Sequence, residues 1–247
     1  MRHPTSGIRN LITSPQNEKL KLVRKLRDRR TRGREGLFVS EGEDLSEAGR
    51  RAGADPRFLL CAAGSGLDGE EVDPGLLAEV SELGSGTRQL GVWPVLWAER
   101  IDPPAVYLHG VGDPGNVGAI IRTAHALVGG TVVLGPDCAD PHSPKAVRAS
   151  MGSVFGQPLA KAAVEETPQP RTALVAHGGG ALEQLPGAET VCLGAEREGL
   201  PQEVLAACGR TVTIPLRPAG AESLNVAAAA AIACQRLSSP AGMEVEA

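Results

Sequence analysis

One stretch of the 247-residue sequence, from Ile214 to Val226, reads IPLRPAGAESLNV and is followed by an alanine-rich run. The pattern predicts a strand that ends at Ile214, a loop interrupted by two prolines, and a helix that begins near Leu224 and is capped by Glu222 or Ser223. Such a loop is either a plain connection between two elements or one wall of a site, since most connections of this kind carry no chemistry.

Short apolar runs alternate with helical patterns through the second half of the chain. This alternation predicts an α/β fold with a mostly parallel sheet that is covered by helices on both faces. Ligands of such sheets bind beyond the carboxyl ends of the strands. The predicted strands are 105–111, 131–134, 171–176, 190–193 and 211–214, and the predicted helices are about 117–127, 143–151, 201–207 and 224–237.

Two further loops follow predicted strands in the same way. Asp113–Ala124 reads DPGNVGAIIRTA and Leu193–Pro201 reads LGAEREGLP. Neither contains the GxGxxG fingerprint or the Walker ending, so the sequence does not support a dinucleotide-dependent oxidoreductase or a P-loop protein. Asn116 is placed to cap the following helix, and Arg122 falls on its second turn, where the guanidinium can point back to the loop. A simple cap and a surface cation are the plain alternatives.

The N-terminal part of the chain is strongly basic. Residues 1–36 contain 11 Lys and Arg against 3 Asp and Glu, a net charge of +8 in a chain whose net charge is −4. Leu20, Val23 and Leu26 recur at helical spacing, so we predict one amphipathic helix from Asn17 to Arg32 with a cationic face. Such a face is either a surface for nucleic-acid phosphates or an ordinary solvated helix face.

The residues that follow the basic helix predict a small α/β unit. Consecutive prolines in Glu99–Pro104 mark a stiff linker, so we place one domain at 1–98 and a second at 105–247. The predicted elements of the first domain are strands at 37–40, 58–62 and 89–96 and helices at 43–52 and 74–82.

The cysteine pattern and the hydropathy set further expectations. The five cysteines form no CxxC pair and no cluster with histidines, so we expect neither a zinc site nor a disulfide framework. The sequence begins without an apolar leader, and its longest apolar run, Val226–Cys234, is far shorter than the roughly 20 residues of a membrane span. We therefore expect a cytoplasmic, reduced protein with no bound metal. The cysteines are Cys61, Cys138, Cys192, Cys208 and Cys234.

Taken together, the three loops resemble in order and spacing the signature motifs of the SpoU or TrmH-like RNA ribose 2'-O-methyltransferases of the SPOUT superfamily. The resemblance covers residues 105–237, and Asp140–Gly152 also resembles a segment usual in these enzymes. Phe38–Leu45 resembles the start of the small substrate-binding domain, similar to ribosomal protein L30e, that many members carry. Three ordered motifs are far more specific than any one of them.

The resemblance implies a fold and a cofactor. It implies a sheet whose C-terminal part forms a trefoil knot, a homodimer, and S-adenosylmethionine bound among the loops at Gly194, Ile214 and Leu224. The loop that follows Ile214 is one residue longer than is usual in the family. The contacts of Leu216 and Gly220 are therefore left open.

The resemblance also implies methyl transfer to a ribose 2'-hydroxyl. Arg122 is then the principal catalytic residue, and Asn116, Glu196, Ser223 and Asn225 complete or orient the pocket. A guanidinium has a pKa above about 12, so it is a poor general base near neutral pH. We expect Arg122 to clamp the RNA phosphate and to stabilise the developing alkoxide instead.

The substrate expectation rests on charge rather than on base stacking. Aromatic residues make up only 2% of the chain, which argues against a stacking platform and favours recognition of phosphates and RNA shape. The apparent N-terminal domain favours ribosomal RNA, while a tRNA 2'-O-methyltransferase and a noncatalytic RNA-binding protein of the same fold stay as alternatives. The candidate RNA-binding residues are Arg24, Lys25, Arg29, Arg30 and Arg32.

Overall fold

The computed structural model describes residues 11–84, 86–217 and 220–238. The chain divides into a first unit that ends at Val95 and also takes in His142–Pro144, and a second unit formed by the other residues after Val95. Residues 1–10, which belong to the predicted basic segment, and Pro218 and Ala219 of the long loop lie outside the described residues.

The first unit is a small α/β sheet. β1 and β2 both pair antiparallel with β4, and β3 adds parallel to the outer edge of β2, which gives the order β1-β4-β2-β3. Leu60, Val72 and Leu90 are fully buried at its centre. The elements are α1 (Glu18–Lys25), α2 (Arg29–Glu35), β1 (Leu37–Glu41), α3 (Glu43–Arg51), β2 (Phe58–Ala62), β3 (Glu70–Val72), α4 (Pro74–Val80) and β4 (Gln89–Pro94).

The single basic helix predicted from Asn17 to Arg32 is wrong, because two short helices stand in its place. α1 ends at a C-cap on Leu26, and the Asp28 carboxylate then accepts a hydrogen bond of 2.7 Å from the Thr31 amide to cap α2. An aspartate that bonds the backbone two or three residues ahead competes with a continuing helix. Leu20, Val23 and Leu26 are buried as the spacing indicates.

The second unit is built on a seven-stranded sheet in the described chain, with strand order β7-β6-β5-β10-β8-β11-β9. All the strand pairs that its described residues form are parallel. Its elements are β5 (Ala105–Leu108), α5 (Pro114–Leu127), β6 (Val132–Leu134), α6 (Pro144–Ala149), β7 (Leu159–Lys161), β8 (Arg171–Leu174), β9 (Gly180–Ala181), β10 (Thr190–Leu193), α7 (Gln202–Ala207), β11 (Arg210–Thr213) and α8 (Val226–Ser238).

The predicted α/β fold with a mostly parallel sheet is confirmed. Each apolar run predicted as a strand contributes one, because β-branched and leucine side chains fill the layer between sheet and helices. The short strands β3, β7 and β9 were not predicted, since each has only two or three residues and lies at a sheet edge. The trefoil knot implied by the resemblance stays a prediction.

The cysteines and the helices bear on the remaining expectations. All five cysteines are free thiols, four of them buried and Cys208 partly exposed. Within the described ranges, no group of three or more His, Cys, Asp or Glu side chains is arranged to hold a metal ion. The described helices are also too short or too polar for any of them to cross a membrane.

Candidate functional site

The three loops that the sequence singles out follow β5, β10 and β11. β5 and β10 are neighbours in the sheet, and β8 lies between β10 and β11. Because the strands are parallel, the loops all leave the sheet at its carboxyl edge, where α/β proteins place ligands. Three motifs that are far apart in sequence therefore come together at one edge.

Three polar side chains, one from each loop, form a continuous chain of hydrogen bonds. The Asn116 amide donates to Glu196 Oε1 at 2.5 Å, and the Asn225 amide donates to Asn116 Oδ1 at 3.1 Å. A hydrogen bond to an ionised carboxylate is short and roughly twice as strong as a neutral one. The structure thus brings three of the predicted site residues into direct contact.

Asn225 also fixes the start of α8. Its Oδ1 accepts from the backbone amides of Ala227 and Ala228. The predicted capping of this helix by Glu222 or Ser223 is therefore wrong, because α8 begins at Val226 and its N-cap position belongs to Asn225. Because the helix holds its side-chain oxygen, the Asn225 side-chain NH2 group can only donate towards Asn116. This fixes which group donates and which accepts in each hydrogen bond from Asn225 through Asn116 to Glu196.

Asp113, rather than Asn116, caps α5. The Asp113 carboxylate accepts from the backbone N–H of Asn116 at 3.0 Å and pairs with Lys145 Nζ at 2.6 Å. The hydrogen bond from Lys145, aided by that from Asn116, lowers the pKa of Asp113. The predicted capping role of Asn116 is therefore wrong. Because Asp113 occupies the cap position, the Asn116 side chain is free to bond Glu196 and Asn225.

A cavity of about 400 Å³ opens beside this chain of hydrogen bonds. Gly194, Ile214 and Leu224, the three residues predicted to hold a cofactor, all line it, together with Glu196 and Ser223. A volume of a few hundred Å³ with mainly apolar walls is typical of small-molecule sites. Further apolar lining comes from Leu193, Leu200, Leu216 and Val226, and so includes the Leu216 side chain whose role was open.

One wall of the cavity is a loop closed on itself. Ala195 and Gly199 exchange two backbone hydrogen bonds of 3.1 and 3.0 Å, and Gly199 adopts a positive φ of 69°. A Cβ at Gly194 would overlap the Gly199 carbonyl and the Leu200 amide. Glycine is therefore required at both positions, at Gly194 for close backbone approach and at Gly199 for its dihedral angle.

The loop after β8 is a fourth wall that the sequence did not indicate. Leu174, Val175, Ala176 and His177 all line the cavity. They follow a strand that lies between β10 and β11 in the sheet but comes before both in the chain. The loop carries no motif, and its place at the cavity follows from the sheet order, which the sequence does not give.

Arg122 is apart from the cavity lining. It lies on α5 and is exposed, and because the helix begins at Pro114 it falls on the third turn rather than the second. The Arg122 side chain forms no hydrogen bond or ion pair with the described residues. Its predicted catalytic role stays a prediction, and its guanidinium is available to an external anion.

The basic residues of the first unit divide into two groups. Arg24, Lys25, Arg29 and Arg30 are partly or fully exposed, and we call them the basic surface. Arg32 is buried, and its guanidinium donates to the Leu26 and Arg27 carbonyls at 2.8 and 2.7 Å. The predicted RNA-binding role of Arg32 does not agree with this burial, because its guanidinium closes the junction between α1 and α2 instead of facing solvent.

A parallel α/β unit with a cavity of this size at the carboxyl ends of its strands belongs to the ligand-binding α/β class. The model of the SpoU rRNA Methylase family matches residues 103–235. The chain belongs to this family.

Three relatives show the range of similarity. The chain is 39% identical over 142 residues to an uncharacterized tRNA/rRNA methyltransferase of Mycobacterium bovis, a match that covers 51% of this chain and only 48% of that relative. It is 28% identical to the 23S rRNA (guanosine(2553)-2'-O)-methyltransferase RlmP of Bacillus subtilis, over 90% of this chain and 96% of the relative. The AdoMet-bound rRNA methyltransferase of Sinorhizobium meliloti superposes with a TM-score of 0.80 at 26% identity, over 92% of this chain and 96% of that one.

Proposed function

We propose that the protein is an S-adenosylmethionine-dependent RNA methyltransferase that modifies a ribose 2'-hydroxyl of ribosomal RNA. The observation that carries the proposal is the cavity at the carboxyl edge of the sheet, lined by Glu196, whose carboxylate is hydrogen-bonded to Asn116 and through it to Asn225. Membership of the SpoU family supports the reaction class. The named activity of the Bacillus subtilis relative, which aligns over nearly its full length, supports ribosomal RNA as the substrate.

The cavity suits the cofactor in size and chemistry. Leu193, Ile214 and Leu224 supply apolar walls for a purine ring, and the missing side chain of Gly194 lets the Gly199–Leu200 backbone pack closely against it and shape the adjoining wall. S-adenosylmethionine, when bound, supplies a methyl group on a sulfonium. The AdoMet-bound structure from Sinorhizobium meliloti supports this choice of ligand.

The residues around the cavity have separable roles in the proposed reaction. Glu196 lines the cavity, and its carboxylate is oriented by Asn116, which Asn225 holds in turn. Arg122 binds the phosphate beside the target ribose and stabilises the charge that develops on the 2'-oxygen, since a guanidinium does not act as a base near neutral pH. Ser223 lines the cavity and supplies a hydroxyl that can donate or accept a hydrogen bond.

Four further features of the whole protein belong to the proposal. We infer a cytoplasmic homodimer with a trefoil knot and with an N-terminal domain, 1–98, similar to ribosomal protein L30e, followed by a catalytic domain, 105–247. The exposure of two large apolar side chains, Leu127 on α5 and Ile232 on α8, supports self-association, since a second copy would cover them. Light scattering of the purified protein tests the dimer.

A transfer assay tests the proposed reaction. The purified protein is incubated with methyl-labelled S-adenosylmethionine and unmodified total RNA, and the label is then located by the resistance of the adjacent linkage to alkali. We expect label in ribosomal RNA at an alkali-resistant linkage. Label in transfer RNA alone would identify the alternative substrate, and tight RNA binding without transfer would favour a noncatalytic RNA-binding protein.

A further inference from the structure

Two thiols lie in contact in the core of the second unit, outside the machinery described above. Cys192 is on the central strand β10 and is fully buried, whereas Cys208 follows α7 and is partly exposed. Their sulfur atoms are 3.6 Å apart, in a hydrogen-bonded contact. Both belong to the core of the second unit, Cys192 as a buried member and Cys208 packed against it.

We propose that Cys192 and Cys208 are a redox-modification site, at which a peroxide converts the two thiols into a disulfide. Cys208 has the accessibility that an attacking thiol needs, and Cys192 is the resolving thiol already in contact with it. Sensor cysteines in proteins share this arrangement of an accessible thiol poised next to a second one. The other described cysteines, Cys61, Cys138 and Cys234, are buried.

The surroundings of the pair support the assignment of roles. The hydrogen bond with Cys192, and more weakly the charge of Arg171, lowers the pKa of Cys208 despite its partial burial. The same hydrogen bond, together with burial, raises the pKa of Cys192. Arg171 is itself buried, and its guanidinium also donates to the carbonyl of Ala207, next to Cys208.

The chemistry balances in two steps. The Cys208 thiolate attacks one oxygen of hydrogen peroxide, so the O–O bond breaks, hydroxide leaves and a sulfenic acid forms. The Cys192 sulfur then attacks the Cys208 sulfur and displaces its hydroxyl, which takes the Cys192 proton and leaves as water. In sum, two thiols lose two electrons and two protons, and one peroxide becomes two waters.

The disulfide would affect the cavity through Cys192, because this residue lies on the strand that leads into the wall at Gly194. Cys192 is two residues before Gly194, and β11, which follows Cys208, ends one residue before Ile214. A disulfide needs an S–S distance of about 2.05 Å, so the sulfurs must approach by about 1.5 Å. β10 is held on both sides by β5 and β8, so we expect the C-terminal end of α7 to move towards β10. The six-residue helix would pass this displacement to the loop 194–201, which precedes its first residue.

Peptide mapping tests the disulfide itself. The full-length reduced protein is treated with a small excess of hydrogen peroxide, alkylated in denaturant, digested and examined by mass spectrometry. We expect one linked peptide pair joining Cys192 to Cys208, which dithiothreitol separates. Sulfinic acid at Cys208 without the linked pair, an intermolecular link, or full alkylation of both cysteines would overturn the proposal.

Three variants assign the roles. Cys208→Ser should abolish the linked pair, while Cys192→Ala should leave a sulfenic acid on Cys208 that dimedone traps. Cys138→Ser, which removes a buried thiol elsewhere in the same unit, is the matched control and should still form the link. A disulfide between Cys192 and any other cysteine in Cys208→Ser would refute the pairing, and the partly exposed position of Cys208 keeps this variant informative if Cys192→Ala folds poorly.

A binding measurement tests whether the disulfide weakens cofactor binding in the cavity, an effect that rests on the proposed function. By calorimetry, the oxidised protein should bind S-adenosylmethionine at least about fivefold more weakly than the reduced protein, and dithiothreitol should restore the affinity. An equal affinity in both states would overturn the link to the cavity. A reduced protein that binds no cofactor would contradict the proposed function, whereas the peptide map would still decide the modification.

Discussion

At the scale of single residues, the site depends on which atom of each side chain donates. The Asn225 oxygen is held by the start of α8, so its amide donates to Asn116, which in turn donates to the Glu196 carboxylate. No other orientation of the two amides satisfies all these bonds. The carboxylate in the cavity is therefore fixed by a helix N-terminus two side chains away.

Changing the polarity of Asn116 should break this chain. Asn116→Asp places a second carboxylate against Glu196, and a hydrogen bond to a charged group contributes roughly 1.5–3 kcal/mol. We expect kcat/KM for methyl transfer to fall at least about tenfold, because about 1.4 kcal/mol corresponds to a factor of ten. The measurement is the transfer assay under single-turnover conditions.

A compensating change makes the Asn116 prediction specific. Glu196→Gln restores a donor opposite the aspartate, so the double variant Asn116→Asp with Glu196→Gln should recover part of the activity that the first variant lacks. Additive effects in a double-mutant cycle would show that the two side chains do not act through their contact.

Arg122 tests whether geometry or charge matters at the proposed phosphate clamp. Arg122→Lys keeps the charge and loses the planar fork that binds a phosphate with two parallel hydrogen bonds. We expect kcat to fall about 100-fold, the size of effect seen when one transition-state donor is removed. Arg122 has no partner among the described residues, so the free energy of unfolding should change by less than about 0.5 kcal/mol.

The matched control for Arg122 is Arg100→Lys, an exposed arginine of the same unit that pairs with Asp102. It should leave transfer unchanged. Near-normal turnover of Arg122→Lys would refute the clamp, and a large loss of stability would assign Arg122 a structural role instead.

At the scale of elements, the sequence predicts strands well and helix ends poorly. Thr190–Leu193 is predicted as a strand from its short continuous apolar run, and all four of its residues are buried in the sheet, as that pattern indicates. At the start of α5, by contrast, Asp113 and Asn116 are both good caps, and it is the Asp113 carboxylate that accepts from the Asn116 backbone N–H. Pro114 at the first helical position favours Asp113 as the cap, a local signal that the prediction of Asn116 did not use.

The candidate site follows the same division. Gly194, Ile214 and Leu224 are found through their motifs, whereas the loop at Leu174–His177 joins the cavity only because β8 lies between β10 and β11. Strand order is set by crossover connections and by packing of the whole sheet. A sequence pattern that describes one strand at a time does not contain it.

Gly194 gives the test at this scale. In Gly194→Ala the new Cβ would overlap the Gly199 carbonyl, so the loop must open. We expect the affinity for S-adenosylmethionine to fall more than about tenfold and the protein to lose about 1–3 kcal/mol of stability, which is typical of overpacking. Calorimetry and chemical denaturation measure the two effects.

Gly112→Ala is the matched control for Gly194→Ala. A Cβ at Gly112 would have its nearest neighbour, the Gly110 carbonyl oxygen, at 3.9 Å. This variant should bind cofactor normally. Normal binding by Gly194→Ala as well would show that the loop is not a wall of the cofactor site.

At the scale of the whole molecule, charge is divided between segments. The first 36 residues carry a net positive charge and the rest of the chain carries a larger net negative charge. The net charge of the whole chain, which is slightly negative, therefore does not show that one segment is cationic. A polyanion such as RNA is attracted by the local field rather than by the net charge. The basic surface of α1 and α2 is where the described chain presents such a field in the first unit.

Salt dependence tests the role of the basic surface directly. Changing Arg24, Lys25, Arg29 and Arg30 together to Gln should reduce the slope of log K against log salt concentration by about 0.7–0.9 for each phosphate that the protein no longer neutralises. If all four side chains bind phosphates, the slope falls by about 3. Binding is measured by filter retention of ribosomal RNA at several salt concentrations.

A matched variant separates position from charge. Changing four exposed arginines elsewhere in the first unit to Gln alters the net charge equally, but should leave the slope nearly unchanged because those side chains lie outside α1 and α2. An unchanged slope in the first variant, or equal reductions in both, would show that the RNA is bound elsewhere. The control positions are Arg50, Arg51, Arg57 and Arg88.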